Sequence, residues 1–201
     1  MGLFNFGKKK PAGDKGVFAE RYLEYLNDIF QQEPLYYMED SLIDGLPGVA
    51  SIVYKDIPEE GYTTAFTYGL SLAEHPDWKF GRPELCVSVA SSNPSWARIG
   101  AFIANKLRGD CPFKYGQNIN FGEQISDDSE MDAFFIFAPS TLDKEYYANI
   151  DIGAYYKIHI AGLYPMYATE LETYADIGLE QFWHHPNFDN YKVNRQRVES
   201  S

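Results

Sequence analysis

Apolar residues recur at helical spacing in three separate segments of the chain. In residues 17–32 they fall on one face of a helix, and Pro34 would stop that helix shortly afterwards. A second stripe runs through residues 93–107, where Asn93 is a preferred N-cap residue and Pro94 suits the first helical position. Both segments are predicted to be amphipathic helices that bury one face.

The third helical segment is predicted to run from Thr169 to the residue before Pro186. Thr169 is followed three residues later by Glu172, which is the spacing of a capping box. Apolar residues then follow helical spacing until Pro186, which cannot continue a helix. The segment is therefore predicted to be an amphipathic helix.

Between the predicted helices, short runs alternate in polarity or are rich in β-branched and aromatic residues. These strand candidates are residues 49–54, 62–70, 85–90, 118–121, 133–138 and 155–163. The alternation in 85–90 indicates a strand with one face in the core, and the continuously apolar run 133–137 predicts a central strand. Because strands and helices do not alternate strictly, we predict an α+β fold with helices packed on one mixed sheet.

A chain of 201 residues has room for one sizeable core. We expect the folded domain to span residues 17–186, with a mobile leader at 1–16 and a C-terminal tail at 187–201. The side chains expected to be largely buried are Leu26, Phe30, Leu85, Val87, Ile99, Ile103, Phe135 and Phe137.

Acidic residues outnumber basic ones by 29 to 17, which gives a formal net charge of −12. This excess disfavours nucleic acid and anionic membranes as partners, and it would attract a basic protein. Aromatic residues make up 16% of the chain, and their combination of apolar area and polar tips suits an interface as well as a core. The composition therefore favours a protein partner.

Targeting signals and cysteine usage predict a cytoplasmic protein. The chain starts with a very short apolar run followed by Lys8, Lys9 and Lys10, the reverse of a secretory signal, and no stretch is long enough to span a bilayer. Cys86 and Cys111 form no metal-type pair, so we expect two reduced thiols.

The histidines and serines of the chain form no recognisable catalytic motif. His184 and His185 would point about 100° apart on a helix, so one zinc ion would not easily take both, and a helix-end role for them is the alternative. Ser71 lies near His75, but no nucleophile-elbow motif surrounds it and no orienting acid can be identified. We therefore expect no enzyme activity, no metal and no cofactor.

Residues 123–132 contain five acidic residues and no basic one. The acidic residues are Glu123, Asp127, Asp128, Glu130 and Asp132. A solvated loop is the simplest interpretation of such a run. The functional alternative is an electrostatic landing surface for a basic partner such as a nuclease toxin. Calcium binding is a third possibility, but the spacing does not follow a known calcium loop.

Several short motifs occur in a fixed order along the chain. They are Tyr68-Gly69-Leu70-Ser71 after Thr67, Glu84 between Pro83 and Leu85, the capped helix at Asn93, Pro139 between Ala138 and Ser140, Gly162-Leu163 before Tyr164, and Glu170 before Leu171. Their order and spacing resemble the suppressor-of-fused domain family over most of residues 17–185. The local alternatives are that Gly69 supplies a backbone bend and that Glu84 is a partly exposed carboxylate after a turn.

The resemblance implies a mixed α/β domain that binds a protein. Characterised eukaryotic members bind a transcription factor and restrain it in Hedgehog signalling, and they clasp a peptide strand between this domain and a second one. Short bacterial relatives, which this compact acidic chain resembles, are regarded as immunity proteins against polymorphic toxins. We therefore predict a toxin-neutralising binding domain. A small regulatory adaptor that sequesters a protein is the alternative, and a hydrolase is a distant third.

Overall fold

The backbone is organised around one seven-stranded mixed sheet. The computed structural model describes residues 15–199. Of the leader predicted at residues 1–16, residues 1–14 lie outside the described part, and residues 15 and 16 already belong to the first helix. The strands are β1 (Leu35–Glu39), β2 (Val49–Lys55), β3 (Thr63–Tyr68), β4 (Arg82–Val89), β5 (Asn118–Asn120), β6 (Ala133–Phe137) and β7 (Ile158–Met166). Their order across the sheet is β1-β2-β3-β4-β7-β6-β5.

Within residues 15–199, four α-helices and one 3₁₀ turn accompany the sheet. They are α1 (Lys15–Phe30), α2 (Pro94–Leu107), α3 (Lys144–Tyr147), the 3₁₀ turn Ala168–Glu170 and α4 (Leu171–Trp183). The Asn93 side chain accepts a hydrogen bond from the Ser95 backbone N–H, so the predicted N-cap of α2 is confirmed.

One strand pair sets the topology of the sheet. β4 and β7 are parallel, with Glu84 opposite Ile160, and every other neighbouring pair is antiparallel. A parallel pair requires a long crossover connection, and here that connection contains α2, β5, β6 and α3. The predicted mixed α+β fold is therefore confirmed.

Different helices cover the two faces of the sheet. On one face, α2 packs against Leu85 and Val87 of β4. On the other face, α1 packs around Ile160 of β7, and α4 packs farther along β7 around Tyr164. Ile160 and Tyr164 are an even number of residues apart, so both side chains point to the same side of the sheet. The core is therefore a three-layer arrangement of helix, sheet and helix.

Most of the predicted elements are confirmed, with two corrections in the strands and one in the core residues. β1 was not predicted at all. β6 is not central, because only β5 separates it from the sheet edge, and it is continuously apolar because core clusters cover both its faces. Six of the eight predicted core residues are buried, whereas Phe30 and Phe137 are only partly buried.

The C-terminal segment is part of the packed domain. The Arg195 guanidinium forms a buried bidentate ion pair with Glu170 at 2.6 and 2.8 Å, and Val198 is buried. The domain boundary predicted at residue 186 is therefore wrong, because the chain remains packed on the domain to at least Val198. The predicted capping box at Thr169 is also wrong, because the Glu170 carboxylate accepts the backbone N–H of Tyr167.

Both cysteine thiols lie in the interior, in core clusters on opposite faces of the sheet. Burial raises the pKa of Cys86 to about 12 and also raises the pKa of Cys111. At about pH 8 we expect native thiols to react with a thiol reagent far more slowly than the same thiols in denaturant, because the thiolate is the reactive form. Titration should find two thiols after denaturation, and equal rates in the two states would contradict the packing.

Candidate functional site

The acidic stretch at 123–132 lies beside the N-terminus of α2, and four of its five acids are exposed. They are Glu123, Asp127, Asp128 and Glu130. Asp127 accepts a hydrogen bond from the Asn93 side-chain amide, and Glu130 pairs with Arg197 at 3.0 Å in an ion pair whose side chains are both at least half exposed. Because exposed ion pairs contribute little to stability, the pair of Glu130 with Arg197 is not expected to hold the stretch in place.

Asp128 has a structural role that the sequence did not indicate. Its Oδ1 accepts from the Trp96 indole N–H at 3.0 Å and from the Ser126 hydroxyl at 2.5 Å, while its Oδ2 accepts from the Ser91 hydroxyl at 2.5 Å. Partial burial raises the pKa of Asp128, but these hydrogen bonds outweigh burial and hold the pKa below its ordinary value. Asp128 therefore fastens the acidic stretch to the fully buried Trp96 of α2.

Asp132 is the second acid in the stretch with an internal partner. It is partly buried, and its Oδ1 accepts the backbone N–H of Ala168 at 2.6 Å. Asp128 and Asp132 therefore anchor the acidic stretch, although Asp128 is also exposed. A depression of about 550 Å³ opens where Asn93 and Ser95 face Gln124 and Asp127.

Glu84 is completely buried and collects the motif residues at 67–71 around its carboxylate. Oε1 accepts the backbone N–H groups of Gly69 and Ser71, both at 2.9 Å, and the Ser71 hydroxyl at 2.7 Å. Oε2 accepts the Thr67 hydroxyl at 2.6 Å and the Leu70 N–H at 3.4 Å. The interpretation of Glu84 as a partly exposed carboxylate is therefore wrong.

The protonation of Glu84 reflects two opposing effects. Burial raises the pKa of its carboxyl, and the hydrogen bonds from Thr67, Ser71 and Gly69 counteract that rise. The fully buried Arg108 donates to the Gly69 carbonyl at 3.2 Å on the other side of the same peptide segment. Glu84 and Arg108 therefore hold Gly69 from opposite sides, and Glu84 binds its N–H while Arg108 binds its C=O.

Gly69 could not be replaced by a residue with a side chain at this point. Its φ is +132°, and a Cβ would lie 2.8 Å from the Gly48 carbonyl oxygen and 3.0 Å from the Val49 Cα. The proposed backbone bend at Gly69 is therefore present, and it also permits close approach of two chain segments.

Arg82 forms an outer layer around the same turn. Its guanidinium donates to the Ser71 carbonyl at 3.1 Å, pairs with Glu74 at 3.0 Å and lies 4.3 Å from the Tyr156 ring centroid. The neighbouring Tyr155 side chain is exposed. This arrangement ties the turn to the start of β7.

The remaining family-motif residues also have packing roles. A Cβ on Gly162 would lie 3.2 Å from the Pro139 Cα. The absence of a side chain at Gly162 therefore allows the chain at Pro139 to pack closely against β7. Leu163 is buried in the α2-side cluster, Tyr68 is buried beside α1, and Glu170 forms the ion pair with Arg195. The structure therefore gathers these residues into the interior and not into one surface site.

The residues considered for catalysis are dispersed. Ser71 is fully buried and donates its hydroxyl hydrogen to Glu84. His75 accepts the Asp77 N–H, and its ring contacts the Trp78 ring at a tilted angle. His184 is the C-cap residue of α4, next to His185, in agreement with the helix-end interpretation. Within residues 15–199, no three His, Cys, Asp or Glu side chains are grouped as a metal site.

The sequence analysis missed the exposed apolar residues at the β1 edge. Leu35, Met38 and Leu42 are 51, 53 and 67% exposed. The run 35–38 is aromatic and aliphatic, which is a strand signal, but its shortness and the flanking acids obscured it. No helix in the described part of the chain is long and apolar enough to cross a membrane.

Solved structures are similar to this chain, although no protein-family model and no curated protein sequence matches it. A suppressor-of-fused homologue from Neisseria gonorrhoeae FA 1090 has a TM-score of 0.69 at 15% identity, with 92% of this chain and 98% of that chain covered. Drosophila Suppressor of Fused has a TM-score of 0.63 at 13% identity, with 90% and 50% covered. A Sufu–Fu complex structure has a TM-score of 0.56 at 15% identity, with 94% and 92% covered.

These structures show that the chain has a suppressor-of-fused-like fold, as the motif order predicted. The chain spans half the length of the Drosophila protein.

We expect Glu84→Ala to destabilise the protein by roughly 3 kcal/mol or more, because several buried donors lose their acceptor. Glu84→Gln should cost less, since one amide oxygen can still accept the three donors at Oε1. Urea unfolding followed by tryptophan fluorescence measures both effects. The exposed control Glu123→Ala should stay within about 0.5 kcal/mol of wild type, and an equally small effect of Glu84→Ala would contradict the network.

Asp128→Ala is expected to lower the free energy of unfolding by roughly 1–3 kcal/mol, because the Trp96 indole N–H loses its acceptor. Asp128→Asn retains an oxygen for Trp96 and Ser126, and should therefore be closer to wild type. Urea denaturation measures the free energy of unfolding of both variants, with Glu123→Ala as the exposed control. If Asp128→Ala matches the Glu123 control, the anchoring role is wrong.

Proposed function

We propose that the chain is a non-catalytic protein-binding domain that neutralises a cognate basic toxin in the cytoplasm. The observation that carries the proposal is the excess of 12 acidic residues, part of which stands exposed at Glu123, Asp127 and Glu130. A negative surface raises the encounter rate with a positively charged partner. Nuclease toxins bind a phosphate backbone, so they offer the positive surface that such carboxylates complement.

The use of the buried polar groups supports binding over catalysis. Glu84 is occupied by backbone and hydroxyl donors, and Glu170 by Arg195 and by the N–H groups of Tyr167 and Val198. A general base or acid must instead reach a substrate. These carboxylates hold the fold together, which leaves the exposed ones for recognition.

A regulatory adaptor that sequesters a protein is the second candidate. The observation that favours it is the structural similarity to a Sufu–Fu complex. An adaptor would bind its partner without protecting a cell from a toxin, so the two candidates differ in a measurable property.

Co-expression with the toxin domain of a neighbouring gene tests the proposal directly. We expect the chain to restore growth of cells that express the toxin and to co-purify with it. Co-purification with a non-toxic neighbour would favour the adaptor. Absence of both protection and co-purification would overturn the neutralising function.

Steering by the acidic stretch can be measured with a charge-reversed variant. In Glu123→Lys/Asp127→Lys/Glu130→Lys, Asp128 and Asp132 are left in place because they anchor the fold. We expect association with the toxin to slow by roughly tenfold at low salt, and the difference to shrink as the Debye length falls from about 10 Å at 0.1 M to about 3 Å at 1 M.

The matched control is Glu172→Lys/Asp176→Lys/Glu180→Lys, which reverses three exposed charges on α4. Its association rate should fall less than that of the first variant, although both carry the same net charge. Equal rates for the two variants would show that only net charge matters, and the acidic stretch would then be a solvated loop.

A further inference from the structure

Two aromatic side chains stand exposed at the end of the sheet where β4 and β7 begin. Phe80 is 94% exposed and Tyr155 is 83% exposed, which are the highest values among the large apolar residues that the structure describes. The first parallel pair of the two strands is Arg82 with Ile158. Phe80 and Tyr155 each lie a few residues ahead of this pair, so both side chains are at the same end of the sheet. Exposed aromatic residues are typical of interaction surfaces.

A depression of about 340 Å³ opens in the same region of the surface. It is lined by Glu74, His75, Pro76, Trp78 and Arg82. Trp78 and Arg82 are each two residues from Phe80 in the chain. Since a protein cavity of about 150 Å³ can hold benzene, the depression has room for a phenylalanine ring. We call Phe80, Tyr155 and the residues that line the depression the aromatic face.

The side chains that line the depression are held in place by internal contacts. The Trp78 indole N–H donates to the Pro112 carbonyl at 2.9 Å, and the His75 ring lies 5.6 Å from the Trp78 ring. The Arg82 guanidinium donates to the Ala73 carbonyl at 2.9 Å. Aromatic rings and a guanidinium are favourable contacts for another aromatic ring. A depression fixed in this way loses little conformational entropy when a ring enters it.

The charges on and beside the aromatic face are balanced. Three ion pairs occur there, namely Glu74 with Arg82, Asp77 with Lys114, and Asp151 with Lys157. The exposed Lys79 adds one positive charge. The acidic excess of the chain, 29 acidic against 17 basic residues, therefore lies elsewhere. A basic partner is attracted to those other parts of the surface, whereas a second copy of the chain meets no net negative charge at this face.

The aromatic face and the acidic stretch lie at opposite ends of β4. Phe80 precedes the first residue of the strand, whereas Asp128 is bound to Ser91, two residues after the last. The eight residues of β4 span roughly 26 Å at about 3.3 Å per residue. Contact at the aromatic face therefore leaves the acidic stretch accessible.

We infer that two copies of the chain associate through their aromatic faces about a two-fold axis, with Phe80 of each copy in the depression of the other. A two-fold interface requires one surface that is complementary to itself, and the aromatic face carries both a protruding ring and a depression. The acidic remainder of each copy repels the other copy, so the balanced face is where the two meet. The inference goes beyond the proposed function, because the dimer keeps two acidic stretches free for basic partners.

Sedimentation velocity of the full chain tests the association directly. We expect a dimer whose fraction rises between micromolar and millimolar protein. Added salt should increase that fraction, because salt screens the repulsion between two chains that each carry a net charge of −12. A chain that stays monomeric at millimolar concentration, or a dimer that dissociates as salt is added, would overturn the inference.

Variants at exposed positions locate the contact. Phe80→Ser removes the protruding ring and should weaken self-association about tenfold or more. Pro76→Trp places a larger side chain in the depression and should have a similar effect. The control Leu42→Ser removes another exposed apolar side chain and should change self-association less than twofold. Equal effects of Phe80→Ser and Leu42→Ser would reject the aromatic face.

A mixture of the Phe80→Ser and Pro76→Trp chains tests the reciprocal contact. In a mixed dimer, Phe80 of the Pro76→Trp chain can enter the unaltered depression of the Phe80→Ser chain, so one of the two contacts is kept. The mixture should therefore associate about threefold or more tightly than either variant alone. The absence of any gain on mixing would reject the two-fold arrangement.

Two other results would assign the aromatic face to a different occupant and overturn the inference. A monomeric chain whose Phe80→Ser variant binds the toxin about tenfold more weakly would place the toxin there. A dimer that forms only after deletion of residues 1–14 would place the leader there. Growth protection is scored separately, so protection without dimerisation rejects the dimer alone, and dimerisation without protection rejects only the toxin function.

Discussion

The Glu84 carboxylate is the interaction on which the shape of this domain depends most. Its two oxygens accept five hydrogen bonds from residues 67–71, which lie 13 to 17 positions earlier in the chain. A carboxylate that lost these donors could not remain buried without a large desolvation cost. The turn after β3 is therefore held by β4, and Arg108 connects the same turn to the end of α2.

A second buried carboxylate, that of Glu170, connects separate chain segments beyond the end of β7. Glu170 receives Arg195 and the backbone N–H groups of Tyr167 and Val198, and so attaches the C-terminal segment to the turn after β7. Removing either partner of such a pair leaves an uncompensated buried charge. The main effect of the pair is therefore to fix one arrangement of the two segments, and its net contribution to stability is small. Each of the parallel strands is thus associated with one buried glutamate. Glu84 lies within β4, and Glu170 lies just beyond β7.

The sequence predicted the features that depend on local interactions, and it did not predict those that depend on residues distant in the chain. α2 was predicted because Asn93, Pro94 and the apolar stripe are local signals. β6 was identified but misplaced, since a continuous apolar run reports burial on both faces and not position in a sheet. Glu84, Arg108 and Arg195 could not be placed, because their partners are distant in sequence. For the acidic stretch, composition revealed the charge but not that the Asp128 carboxylate accepts the Trp96 indole N–H.

The division between buried and exposed acids links the fold to its proposed partner. The buried carboxylates are compensated internally, so their charge adds little to the field outside the domain. The exposed ones repel one another and are screened only by salt. A basic partner would relieve that repulsion. Because this gain requires positive charge, the same acidic surface that attracts such a partner also disfavours association of this domain with itself through that surface.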